Sequence, residues 1–319
     1  MHRRAVCKGI ISLAGVVLTP LGAFAKVQEA KRQFREVRHA MGTLLDIAIC
    51  HNSAKAAREF FDAAFSLVAR LELLLSNFYS ESEISRLNSL SGKESLRISK
   101  ETEELLVIGK RFFLLTDRAF DISVRPLIEL WRRGAVNQFL PDEKEIQRVK
   151  SLVGCDCLEM DGDGRALLAE RGASIETGGI GKGLAVDRIA SLFKRFDIES
   201  AFVNFGHSTI YAHGVPSMSE NWEVLLQFPG AAPIGTLAVR DCALSASSSF
   251  GQSFSIGQKQ YGHIFDPLTG LPFSSKREIA LTTRSAVDAE ILSTYLVIRP
   301  GFLGDNLQSL PPFKICHVA

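Results

Sequence analysis

Tyr261-Gly-His-Ile-Phe-Asp-Pro-Leu-Thr-Gly-Leu-Pro272 holds a histidine, an aspartate three residues on, and a turn containing two prolines and a glycine. Pro267 fixes its own φ and pushes Asp266 into an extended conformation. Gly270 is free to take the positive φ that a tight turn often needs. The stretch therefore reads as a strand running into a rigid turn that holds polar groups at fixed positions. Strand alternation puts Tyr261, His263 and Phe265 on one face and Asp266 on the other. With residues 253–256 and a turn at 257–260, the segment forms the second arm of a β-hairpin. His263 is a candidate general base, because an imidazole titrates nearest neutrality. It is also one of seven histidines, and the stretch alone leaves both readings open.

Upstream, residues 201–239 read as short strands with turns, which points to a largely antiparallel sheet. Near the N-terminus, strands surround Met41-Gly42-Thr43, with Leu45, Ile47 and Ile49 alternating against Asp46 and Ala48. An amphipathic helix over 54–75 follows, entered through Asn52 and Ser53, with Phe60, Ala64, Leu67, Leu71 and Leu74 on its apolar face. Tyr79 heads the polar stretch after it, and such an aromatic either stacks on a planar ligand or anchors a core. A second helix begins after Ser99 and runs to about 115, its first-turn glutamates suiting the macrodipole. Ala119, Phe120 and Asp121 lead through Pro126 into a short helical piece, and 132–150 reads as a surface loop plus helix. The class is α+β, with mostly antiparallel sheets and flanking helices.

Two further stretches carry chemistry. Ile175-Glu-Thr-Gly-Gly-Ile-Gly-Lys-Gly183 opens a helix with Ala185, Ile189, Leu192, Phe193 and Phe196 at helical spacing. A glycine-rich helix entry offers unpaired N–H groups to an anion. Gly183 follows the lysine where a P-loop needs Ser or Thr, and Leu184 stands where a Rossmann fingerprint needs Gly or Ala. The turn is thus phosphate-friendly in some other way, or simply tight. Ser285 and Asp288 form a helix-capping pair. Glu290 and Thr294 then share a helix face, either as oxygen ligands for a hard cation or as a plain polar surface.

Across 319 residues the formal charge is +2 and 46% of residues are hydrophobic. That balance gives no reason to expect nucleic acid as a partner. Residues 1–25 read as a signal peptide: Arg3, Arg4 and Lys8, an apolar run, and an Ala23-Phe24-Ala25 cleavage site. Arg3-Arg4-Ala-Val-Cys-Lys8 also resembles a twin-arginine signal, and ordinary secretion is equally open. No later run has the length and apolarity of a membrane span. A soluble periplasmic domain over 26–319 is expected. Cys50, Cys155, Cys157, Cys242 and Cys316 remain in it, an odd number expected to be structural or incidental rather than a disulfide framework or zinc site.

Taken in order, these motifs resemble the ApbE family of FAD:protein FMN transferases. The matching stretches are Met41-Gly-Thr, Tyr79 with Ser82-Glu-Ile-Ser-Arg-Leu-Asn88, Phe120-Asp-Ile-Ser-Val-Arg-Pro-Leu, Gly178-Gly-Ile-Gly-Lys-Gly with Ala185-Val-Asp, His263-Ile-Phe-Asp-Pro-Leu-Thr-Gly, and the helix start at Ser285. The resemblance implies a flavin site between two halves of the fold, with Mg2+ on the pyrophosphate of FAD. It implies FAD contacts from Met41, Tyr79, Ala119, Phe120, Asp121, Glu176, Lys182 and Ile264. The Gly179 backbone with Glu290 and Thr294 would hold the metal, His263 would act as base, and Asp266 would support it. The implied reaction moves FMN from FAD to a Ser or Thr hydroxyl of an acceptor flavoprotein and leaves AMP. A non-catalytic FAD-binding maturation protein and a metal-dependent FAD pyrophosphatase are the alternatives on the same fold. Four positions depart from the family's usual residues: Glu290 and Glu176 stand for aspartates, and Arg125 and His207 for glycines.

Overall fold

Seven strands form one sheet in the spatial order Arg32–Ala40, Thr43–His51, Ser200–Phe205, Thr209–His213, Cys242–Ser248, Glu278–Thr283, Phe313–Val318. Every neighbouring pair in it is antiparallel, as the short-strand pattern implies. This computed structural model describes residues 32–216, 220–300 and 309–319, so the expected signal peptide at 1–25 lies outside the described residues. Leu45, Ile47 and Ile49 are fully buried, as their alternation requires.

The helices are α1 Ala54–Leu75, α2 Glu83–Ser89, α3 Lys100–Leu115, α4 Arg125–Asn137, α5 Glu143–Lys150, α6 Gly181–Ala190 and α7 Ala286–Ile298. Ser53 caps α1 by accepting from Ala56 N, and Ser99 caps α3 by accepting from Thr102 N. The apolar faces of α1, α3, α6 and α7 join the sheet in the main core. A ribbon of Trp222–Leu226 with Gly235–Val239 packs through Trp222, Val224 and Val239 against Ile210 and Leu244 of the sheet. A smaller core gathers Leu127, Leu130 and Trp131 of α4, Ile146 and Val149 of α5, and Ile256, Tyr261 and Phe265 of the hairpin region. All five described cysteines are free. Among the described residues no helix is long and apolar enough to cross a membrane.

Three local expectations change. The segment from Arg132 to Asn137 continues α4 rather than forming a loop, because Trp131 and Gly134 keep an inward face while Arg132 and Arg133 stay outside. The glycine-led helix α6 ends at Ala190, and a 3-10 turn Lys194–Phe196 takes over, with Phe193 still buried. The hairpin strand stops at Gly262. A side chain there would meet Ser249 O at 2.1 Å, so two backbones cross too closely for the strand to continue. Tyr261 and Phe265 consequently face the small core, and His263 points to the exposed side rather than sharing their face.

Candidate active site

The site is built on the glycine turn that opens α6. Ile180 and Gly181 N–H both donate to Thr177 O, folding the chain tightly into the helix. The Gly183 N–H, a first-turn amide that the helix itself leaves unpaired, donates to Glu290 Oε2 at 2.6 Å. The Gly179 carbonyl and the Gly179 and Lys182 amides have no hydrogen-bond partner among the described residues. A helix N-terminus with open amides attracts an anion, and an open carbonyl beside it suits a cation.

Glu290 sits mid-way along α7 and is buried. Its other oxygen, Oε1, is paired with Lys182 Nζ. Thr294 Oγ1 donates to Glu290 O at 3.0 Å and stands 3.4 Å from Ser247 Oγ. Ser293 lies between Ser245 and Ser247, at 3.0 and 2.7 Å. The cluster is a single carboxylate among hydroxyls, an all-oxygen donor set of the kind hard cations take. Among the described residues no three His, Cys, Asp or Glu side chains form a metal-binding group. A cation here must therefore draw further ligands from backbone or substrate oxygens.

The two helices meet because α6 has no side chain at Gly183, and a Cβ there would lie 2.5 Å from Val287 Cα. Asp187 completes the junction. It accepts from Ala286 N (2.6 Å), Val287 N (3.0 Å) and Ser285 Oγ (2.8 Å), capping α7 from outside. Burial raises its pKa in spite of these donors. Ser285 caps α7, its Oγ accepting from the Asp288 amide.

Glu176 bridges the glycine turn to α4. One oxygen accepts from Gly178 N at 3.1 Å and the other pairs with Arg125 at 3.1 Å. Arg125 also reaches Glu129 at 2.8 Å. Two of the four departures from the family pattern, Arg125 and Glu176, are thus each other's partners. A cation in the first turn of α4 opposes the macrodipole, and the two carboxylates offset that.

Asn77 pins the loop after α1 to this turn, accepting from Thr177 N (3.0 Å) and donating to Ile175 O (2.7 Å). Ser76 Oγ accepts from both Phe78 N and Tyr79 N, fixing the next two residues. Tyr79 is exposed, and Phe78 is more so at 85%. Two aromatic rings on a pinned turn beside an anion site suit a planar ligand. Phe78 thus joins Tyr79 as a candidate, and its only mark in the sequence is its place beside Tyr79 after a turn-forming serine.

Ala119, Phe120 and Asp121 are buried behind the glycine turn rather than open to it. Phe120 lies directly beneath Gly179, 3.4 Å from where a Cβ would be. Two left-handed residues, Asp117 (φ 48°) and Arg118 (φ 68°), turn the chain into this position. Asp121 Oδ1 accepts from Ser123 N, Ser123 Oγ and Cys155 Sγ, and burial raises its pKa. Its side chain is therefore engaged in holding the loop. Ile264 is buried in the main core and offers its backbone only. Met41 occupies a two-residue turn at φ 46°, followed by Gly42 at 74°. A left-handed methionine is a strained choice, and its half-buried side chain packs against the main core.

His263 is held at Nδ1 by Gln252, 2.9 Å from its carbonyl and 3.2 Å from its amide. We assign the Nδ1 proton to the shorter carbonyl contact, which leaves the Nε2 lone pair available. The ring reaches solvent, yet the protein crowded around it lowers its pKa, chiefly by desolvation, with the nearby Lys182 charge adding to this. The imidazole is thus neutral at neutral pH. Asp266 does not reach His263. It pairs with Arg299 at 2.9 and 3.0 Å and accepts from Leu268 N within its own turn. The turn folds Asp266 toward the end of α7, so it braces the loop instead of orienting the imidazole.

The fold and these motifs define a class, and the comparisons identify it. The model of the ApbE family matches residues 41–302, and the chain belongs to that family. It is 26% identical to a FAD:protein FMN transferase of Klebsiella pneumoniae, over 77% of this chain and 76% of that protein. It is 24% identical to the protein of the same name in Escherichia coli K12, over 90% and 86%. The ApbE protein of Thermotoga maritima superposes with a TM-score of 0.80 at 24% identity, covering 90% of this chain and 96% of that one. The flavinyl transferase ApbE of Pseudomonas stutzeri in its apo form gives 0.74 at 22%, covering 84% and 85%.

Proposed function

We propose that the protein is an exported, Mg2+-dependent FAD:protein FMN transferase acting on a Ser or Thr hydroxyl of a periplasmic or membrane-bound flavoprotein. The observation that carries the reading is the junction of α6 and α7. There the open amides and the Gly179 carbonyl meet a buried carboxylate that already holds a cationic group. The family membership and the relatives' names support the same activity.

In this reading the pyrophosphate of FAD lies on the Gly179 and Lys182 amides and takes Lys182 as counter-ion, while Phe78 and Tyr79 face the flavin ring. Gly179 O, Glu290 and Thr294 would hold the divalent cation. The pairing of Lys182 Nζ with Glu290 supports this, since the carboxylate already accepts a positive charge. Bound there, the cation would neutralise charge on the pyrophosphate. His263 Nε2 takes the proton of the acceptor hydroxyl. The hydroxyl oxygen forms the new bond to the phosphorus of the FMN half, the pyrophosphate bond breaks, and AMP leaves with the electron pair.

The test is to incubate mature protein with FAD, Mg2+ and a purified acceptor flavoprotein domain. Mass spectrometry should find the acceptor heavier by one FMN, with AMP formed in equal amount. FAD bound tightly with no adduct would make this a non-catalytic flavin carrier. Free FMN and AMP without an acceptor would make it a pyrophosphatase. Export is supported by the basic, apolar and A-x-A segments of residues 1–25. The N-terminus of protein recovered from the periplasm should be Lys26.

A further inference from the structure

We propose that Lys182 and the divalent cation are alternative partners of Glu290, so that FAD and the cation bind as a coupled pair. The inference rests on the metal reading given under Proposed function and extends it to the unloaded protein.

Glu290 and Lys182 differ in mobility. The Glu290 side chain is 5% exposed, and its Oε2 is fixed by the Gly183 amide. It cannot follow a partner outward without leaving that N–H bare in a tight helix junction. Lys182 is 22% exposed, with a flexible stem and, among the described residues, one other side-chain hydrogen bond, to Gly178 O at 3.5 Å. The ammonium is therefore the member that leaves. A buried carboxylate that stays ionised is costly without a counter-charge. In the unloaded protein Lys182 supplies it, and a divalent cation arriving alone must displace it without offering the lysine a new partner.

FAD changes that balance. An anion on the Gly179 and Lys182 amides lies at the N-terminus of the helix that carries Lys182, within reach of its side chain. The ammonium moves to the phosphates, Glu290 loses its partner, and the cation gains both Glu290 and phosphate oxygens. The longer arm of Glu290, compared with an aspartate, lets a residue of α7 reach the α6 amide and the lysine together.

The probe is Mn2+, followed by loss of the free-ion electron paramagnetic resonance signal, with mature protein and no acceptor. FAD is the anion, because its diphosphate diester chelates metal weakly in solution. Wild type should bind Mn2+ weakly alone and about tenfold or more tightly with FAD, and Mn2+ should tighten FAD by the same factor. Lys182→Met should bind Mn2+ without FAD about tenfold more tightly than wild type and gain less than wild type does when FAD is added, because only the phosphate oxygens then remain to be gained. Lys182→Arg keeps the charge and should retain the wild-type pattern. A folded Lys182→Met, judged by its melting curve, that binds Mn2+ no better than wild type overturns the proposal. Should the methionine variant not fold, Lys182→Gln takes its place with the same expected and overturning results. Glu290→Gln separates the two readings. If it binds Mn2+ with FAD as wild type does, the cation sits elsewhere and the metal assignment itself fails.

Discussion

Gly183 lies so close to Val287 that a methyl group there would meet Val287 Cα at 2.5 Å and Ala286 O at 2.6 Å. Both clashing atoms are backbone, so neither swings aside, and α6 and α7 must separate to admit a side chain. Gly183→Ala should cost about 1–3 kcal/mol by overpacking, visible as an earlier thermal transition. It should also pull the Gly183 amide from Glu290 and weaken FAD binding in the presence of Mg2+. An unchanged melting curve would mean that the helix junction is softer than the contacts imply.

Arg125 and Glu176 should behave as a unit. Arg125→Ala leaves a half-buried carboxylate uncompensated beside the glycine turn, where it opposes an incoming pyrophosphate, so FAD affinity should fall. Arg125→Ala combined with Glu176→Gln removes both charges and should recover much of that loss. The coupling between the two sites should be about 1 kcal/mol, discounted for their partial exposure. FAD titrations of the four proteins measure it, and strictly additive effects would refute a working pair.

On the proposed function, His263 as the base would set the acid limb of activity. Its folded pKa lies below 6.5, because burial and Lys182 disfavour the imidazolium. Transfer should therefore be full at neutral pH and fall only as pH drops through a value below 6.5, when the base takes up a proton. His263→Gln should abolish that limb and nearly all transfer while FAD still binds. Retained transfer with an unchanged profile would assign the base elsewhere.

Two aspartates with raised pKa, the buried Asp121 and the half-buried Asp187, should answer differently to the same substitution. Asp121 accepts all three of its bonds on Oδ1, an atom that asparagine keeps. Asp187 accepts on both oxygens, and asparagine would turn one acceptor into a donor facing other donors. Asp121→Asn should be somewhat more stable than wild type at pH 7, whereas Asp187→Asn should cost about 1–3 kcal/mol. The sign with pH follows from the raised values. In each, the folded state holds its proton more tightly than the unfolded chain, so the charged form costs stability above that pKa. The advantage of Asp121→Asn over wild type should shrink as pH falls toward about 4, in melting curves recorded across that range.

The antiparallel class, the caps at Ser53 and Ser99, and the glycine turn are legible in the sequence because each is a local pattern with a local cause. The pairing of Lys182 with Glu290 is not, nor that of Arg125 with Glu176. Lys182 and Glu290 meet because a missing side chain at Gly183 sets the distance between α6 and α7, and Arg125 meets Glu176 because the glycine turn folds back onto the start of α4. Alternation puts His263 on the wrong face because it assumes an unbroken strand, and a backbone crossing at Gly262 ends that strand. Proximity in sequence suggests His263 as the partner of Asp266, but the real one, Arg299, lies beyond the far end of α7. Phe78 does not stand out beside Tyr79 because exposure is a property of the folded turn.

The Asp266–Arg299 pair has a mechanical consequence. Glu290 and Thr294 project from the middle of α7, and Arg299, directly after its last turn, grips the loop that carries His263. Arg277 fastens that same end by donating to Val297 O and Ile298 O. One rod thus carries the Glu290 and Thr294 oxygens and anchors the loop of His263, so on the proposed function helix geometry would set the spacing between cation and base. Cutting the tether with Asp266→Ala should leave cation and flavin seated while the base wanders.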